Sequence, residues 1–200
     1  MPLTDTPPIP RLGRHSNGMR LEPTDFDAVT QWDRNYRYEL VHGVVVVSPI
    51  ASEGEARPND ELGYLLRRYR DELPDRCPFD DTLPERYIHL ADSRRRADRV
   101  IWAGLGRLPV PSVDVPTIAV EFVSKSKRDR QRDYIEKRRD YREAGVKEYW
   151  IIDRFQNQMT VYFADGSEQL VEANSVYTTP LLPGFELPLQ RLLNVANQWK

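Results

Sequence analysis

Cysteine is all but missing from this chain: Cys77 is the only one in 200 residues. An intrachain disulfide and a cysteine-rich zinc site are thereby excluded, and a lone thiol fits a reducing compartment. The three histidines show neither HxH nor HxxxH spacing, which argues against a histidine metal site. Long apolar runs are also lacking, so no membrane span is expected. The first ten residues hold four prolines and carry neither the basic nor the apolar region of an export signal, so the expected location is the cytoplasm. No GxSxG, GxGxxG or GxxxxGK[ST] occurs, which removes the nucleophile elbow of serine hydrolases and the common nucleotide-binding loops.

What is present suffices for one sizeable core, since 40% of the residues are hydrophobic and no internal repeat divides them. Residues 1–22 lack periodicity and read as an irregular N-terminal tail or strap, leaving 23–200 as a single domain. Thr24 offers an N-cap for a short helix reaching to about Trp32. Tyr36–Val41, the pair His42-Gly43 and Val44–Val47 read as a β-hairpin. Leu62, Leu65, Leu66, Tyr69 and Leu73 recur at helical spacing, predicting an amphipathic helix that begins near Pro58 and ends before Pro74.

Strands are then expected over Arg86–Leu90, Arg96–Trp102 and Thr117–Val123, followed by a helix from Asp129 to Ala144 that Gly145 closes. The next buried strand, Lys147–Asp153, makes the helix a crossover between parallel strands, and Met159–Phe163 and Gln169–Glu172 continue as an antiparallel meander. Leu181–Leu189 reads as an apolar strap. The fold class is therefore α/β (α+β), with a mixed central sheet flanked by helices.

Glu121 interrupts the most strand-like run of the chain, and a carboxylate there must be compensated by a metal, a cation or hydrogen bonds. Asp98 lies on the preceding strand. Two carboxylates on neighbouring strands can bind a hard divalent cation such as Mg²⁺ or Mn²⁺, and they can equally be salt-bridged by arginines nearby. Advancing about 100° per residue from Tyr134 puts Lys137 at roughly 300°, between Ala144 and Tyr141, within the stripe that faces the sheet. Arg138 and Arg139 turn away on the same wheel. Glu39, on a half-buried strand, is a further candidate.

The formal net charge is −2, yet Ser124 to Lys147 holds ten Lys or Arg against five Asp or Glu. Such a basic stripe beside a buried acid suits a phosphate-handling site, with Lys125, Lys127, Arg128 and Arg138 as candidate nucleic-acid contacts; a solvated face of i,i+4 ion pairs is the plainer account.

The order of these segments resembles a known family. Tyr38-Glu39-Leu40-Val41-His42-Gly43, Ser48-Pro49, Ala97-Asp98, Val120-Glu121-Phe122-Val123-Ser124, Asp133 with Lys137 and Tyr141, Glu148-Tyr149-Trp150-Ile151-Ile152-Asp153 and Leu182-Pro183-Gly184-Phe185 together resemble the Uma-type putative restriction endonuclease family of the PD-(D/E)XK superfamily. The resemblance implies a restriction-endonuclease-like core and divalent-metal-dependent cleavage of DNA. Asp98 matches the first metal-binding acid, Glu121 the second, Lys137 the lysine moved onto the following helix, and Glu39 an acidic position in the hairpin. A homodimer is what cutting two strands calls for.

The chain also departs from the pattern. Ala97 stands at the usual proline, Ser124-Lys125-Ser126-Lys127 replaces Ser-Pro-Ser-Thr and makes Lys125 a rival for the catalytic lysine, and Glu55-Ala56 replaces a His-Gln pair. The alternative function is a catalytically silent DNA-binding or interaction protein on a nuclease scaffold.

Overall fold

A computed structural model of the chain describes residues 11–73, 77–125 and 132–199. It divides into two compact units, Met1–Ile50 with Leu90–Arg95, and Ala51–His89 with Arg96–Lys200.

In the first unit, strands β1 (Tyr36–Val41) and β2 (Val44–Pro49) form the expected hairpin. His42 and Gly43 take φ of 48° and 73°, the two left-handed residues that a tight two-residue turn demands. β1 also meets Arg94, the first residue of β4 (Arg94–Ala103), at Leu40. Helix α1 covers only Pro23–Asp27, with Glu22 rather than Thr24 at the cap, because Pro23 supplies the fixed φ of a first helical residue. Trp32 lies beyond it and packs edge-on against Phe26. Residues 11–22 form a strap: Leu12 is fully buried and bridges Trp32, and Arg20 bridges Val44.

In the second unit, helix α2 (Glu53–Glu72) starts about five residues before Pro58, where the leucine spacing predicts its beginning. Ser52 and Glu55 make a capping box in which the Glu55 carboxylate accepts from the Ser52 N–H at 3.0 Å and its hydroxyl at 2.5 Å. That cap nucleates the helix, so Pro58 falls inside it and forgoes one intrahelical bond. Strand β3 (Phe79–His89) is longer than expected and pairs with β4. An edge strand tolerates Pro84.

Strands β4, β5 (Ile118–Phe122), β6 (Glu148–Asp153), β7 (Gln158–Phe163) and β8 (Glu168–Glu172) follow in sheet order. The β5–β6 pair is parallel and the others are antiparallel, which makes the mixed sheet that the strand–helix–strand pattern predicts. Between β5 and β6 a π-helical stretch, Arg132–Lys137, runs into helix α3 (Arg138–Ala144). Gly145, at φ 97°, closes it.

Side chains alternate across β5. Ile118, Val120 and Phe122 join the core beneath α2, and Ala119 and Val123 join the one beneath α3. The apolar strap is irregular over 181–186 and buries Leu182 and Phe185 in the core; its end, Leu187–Pro188, is β10, which pairs with β9 (Val176–Tyr177) in a two-stranded ribbon and leads into helix α4 (Leu189–Asn197). Leu189, Leu192, Leu193 and Ala196 bury its inner stripe.

The long β4–β5 loop is ordered by Asp114, whose carboxylate takes two bonds from Arg107 at 2.7 Å and one from the Val110 N–H at 2.6 Å. Its carbonyl accepts from the Trp102 indole at 2.9 Å. Arg107 holds the Asp114 pKa down, at about 2. A depressed carboxylate stabilises the fold above its unfolded value and loses that contribution as pH falls through the folded one. The Trp102 indole N–H should therefore stay protected from exchange at pH 5 and lose protection between pH 4 and 2. Unchanged protection at pH 2 would refute the assignment.

Candidate active site

Alternation along β5 places Glu121 on the face that α3 covers, among Ala119, Val123 and Tyr141. Its Oε1 accepts from Lys137 Nζ at 2.8 Å and from the Tyr141 hydroxyl at 2.9 Å. Lys137 also donates to the Arg96 carbonyl at 2.8 Å. The Glu121–Lys137 pair is sealed, each side chain 3% exposed. Burial of two charges is tolerable here because each has a counter-charge and further hydrogen bonds.

Asp98 stands next to this pair by strand register. Arg99 pairs with Val120, so one step further along the ladder sets Asp98 opposite Glu121, and directly opposed residues bring their Cβ atoms to roughly 5 Å. The Phe122 N–H donates to Asp98 Oδ2 at 2.8 Å, which confirms the placement and aims the carboxylate at the end of β5.

Behind the acid, Asn59 of α2 donates to the Asp98 carbonyl at 2.8 Å. Arg99 in turn grips Asn59, Nε to the side-chain oxygen at 2.6 Å and Nη2 to the backbone carbonyl at 2.9 Å. The guanidinium fits only because residue 63 is glycine: a Cβ there would lie 2.6 Å from Arg99 Nη2. Burial pushes the Arg99 pKa down to about 10, so it remains charged at neutral pH.

The structure thus brings Asp98, Glu121 and Lys137 together. Glu39 belongs to the other unit, where it is buried and stands 3.9 Å from Arg95. Lys125 is exposed just past β5. Lys127 and Arg128 lie outside the described residues, as does the side chain of Asp133. Arg138 turns away from the Glu121 stripe, as the helical wheel suggests, and stays half-exposed. Its guanidinium lies 4.0 Å over the Tyr162 ring and pairs with Glu168 at 3.2 Å, since a long flat cation covers an aromatic face well.

Two contributors escaped sequence reasoning. Tyr141 sat in the same stripe as Lys137, a usable signal for its contact with Glu121. Asn59 is a polar residue three positions before Leu62 on the inner stripe of α2, which also could have marked it.

A family model described as "Putative restriction endonuclease", Uma2, matches residues 24–190. The chain belongs to the Uma2 family. The Uma2 match contains Glu39, Asp98, Glu121 and Lys137. No curated protein matches the chain. Among solved structures, it is similar to a "putative nuclease belonging to DUF820" from Anabaena variabilis ATCC 29413, with a TM-score of 0.69 at 12% identity, covering 88% of this chain and 99% of that one. At that identity the likeness shows a shared nuclease-like fold. Among the described residues, no helix is long and apolar enough to cross a membrane.

Proposed function

We propose that the protein is a divalent-metal-dependent endonuclease that hydrolyses DNA phosphodiester bonds, acting in the cytoplasm. The observation that carries this reading is the convergence of Asp98 and Glu121, opposed across β4 and β5, with Lys137 bonded to Glu121. Membership of the Uma2 family supports it.

The donor set fits a hard cation. Among the described residues no group of three His, Cys, Asp or Glu side chains converges. Mg²⁺ commonly binds through one or two carboxylates and completes its shell with water and substrate phosphate oxygens, so Asp98 and Glu121 suffice. When bound, such a cation supplies Lewis-acid stabilisation of charge on the phosphate. Mg²⁺ or Mn²⁺ is the cation expected.

The protein's own groups do the rest. The Phe122 N–H and the Asn59 amide hold Asp98 by its carboxylate and its backbone. Tyr141 and Lys137 both bond Oε1 of Glu121, fixing the orientation of the carboxyl plane. Lys137 places a positive charge in a water-poor site, where it stabilises negative charge developing on phosphate oxygens and orients the attacking water. Exposed Lys125 contributes to the basic approach. A homodimer would cut both strands.

Incubation with supercoiled plasmid and Mn²⁺ or Mg²⁺ should give nicked and linear DNA, and EDTA should abolish cleavage. Absence of cleavage with either ion would overturn the reading. One observation favours the alternative, a silent scaffold that binds DNA: the Lys137 ion pair already neutralises Glu121. That alternative predicts salt-dependent DNA binding indifferent to divalent ions.

A further inference from the structure

We infer that Arg96 is a phosphate-binding arm of this site, and that Glu85 is an internal carboxylate that holds its guanidinium until a polynucleotide phosphate replaces it. The inference rests on the nuclease reading and names a residue that grips the substrate.

Position is the first argument. Arg96 lies two residues before Asp98, and its carbonyl accepts from Lys137 Nζ at 2.8 Å. Its main chain is therefore part of the acidic centre. The side chain leaves that centre and pairs with Glu85 Oε2 of β3 at 2.5 Å. β3 packs against α3, the helix that continues from Lys137, so Glu85 approaches from an element bordering the site.

Exposure is the second. The Glu121–Lys137 pair is sealed and Arg99 is 1% exposed, whereas the side chains of Arg96 and Glu85 are 22% and 35% exposed. A pair at the solvent edge is weakly held and open to exchange. The third argument is conformational. Glu85 adopts φ 53°, within a strand, in the left-handed region that glutamate rarely enters. The backbone is bent at Glu85, the residue that delivers this carboxylate to Arg96.

The chemistry of the exchange is simple. A planar guanidinium binds carboxylate and phosphate with the same two-point geometry, so a backbone phosphate can take the place of Glu85 in kind. Arg99 is closed off from this role by its burial against Asn59 and Gly63.

Binding of a 20-base-pair fluorescent duplex, measured by anisotropy in EDTA and again with Ca²⁺ at several salt concentrations, tests the inference. Arg96→Gln should weaken binding roughly tenfold and reduce the salt slope by about one. Glu85→Gln should strengthen binding several-fold, because the competing carboxylate is gone, and the double variant should behave as Arg96→Gln. Arg96→Lys, which keeps the charge without the two-point fork, should fall between. A pair with a purely structural role would make both single variants less heat-stable and neither tighter in binding. Unchanged or weaker binding by a folded Glu85→Gln variant, beside a wild type that binds and cleaves DNA, would overturn the inference alone. A wild type that does not bind DNA under any of these conditions would overturn it together with the nuclease reading.

Discussion

Replacing Glu121 with glutamine should lower metal-dependent DNA cleavage by about 10²–10³-fold while the protein stays folded. Glutamine keeps a carbonyl oxygen where Oε1 now receives Lys137 and Tyr141 at 2.8 and 2.9 Å, so neither donor is orphaned. It removes the negative charge that a divalent cation requires. Alanine is the poorer test: it would strand a lysine side chain only 3% exposed, and breaking a buried pair from one side costs about 3–5 kcal/mol. Loss of activity in Glu121→Ala would thus mix chemistry with unfolding. Plasmid cleavage in Mn²⁺, read beside a thermal melt, separates the two. A Glu121→Gln protein that cuts at the wild-type rate would remove Glu121 from the mechanism, and with it the reading of Lys137 as its partner.

The second large effect is on stability, at a carboxylate with no part in the chemistry. Glu148, on β6, is buried and accepts three hydrogen bonds, from the Trp150 indole at 2.8 Å, the Tyr177 hydroxyl at 3.0 Å and the Thr179 hydroxyl at 2.5 Å. Burial, reinforced by the Glu148 charge, pushes the Tyr177 pKa up, which keeps the phenol a donor. These bonds tie the ribbon of β9 and β10 to the central sheet. Glu148→Ala would leave three buried donors without an acceptor, each costing about 1–3 kcal/mol, for a total of about 3–5 kcal/mol once some find water. For a chain of this size the melting temperature should fall by roughly 10 °C or more. A melt within a degree or two of wild type would show that the network contributes little.

Local sequence signals fix the turns and crossovers of this fold, and packing between distant segments fixes the rest. The His42-Gly43 turn, the parallel β5–β6 pair and the Gly145 cap were legible because each rests on a local rule: a two-residue turn needs left-handed residues, and a strand–helix–strand order needs a crossover. The leucine spacing starts helix α2 too late because Pro58 suits a first helical turn and so marks a beginning. The capping box of Ser52 and Glu55 outweighs that single proline. Helix α4 was missed because flanking prolines masked an ordinary i, i+3, i+4, i+7 stripe.

The same division runs through the site. Glu121 was conspicuous as an acid in a buried strand, and the helical period brought Lys137 to the sheet-facing stripe even though that stretch is π-helical. Period and register give the direction of a side chain. They do not give its reach or its partners. Only the tertiary structure decided that Lys137 is shared between Glu121 and the Arg96 carbonyl, that Tyr141 joins them, and that Gly63 makes room for the guanidinium bonded to Asn59 behind Asp98. The physical reason is that a hydrogen bond to a main-chain carbonyl leaves no mark on residue type, and a cradle for a guanidinium exists only after a helix and a strand have packed. The chain by itself determined which residues face the site; packing decided what each one holds.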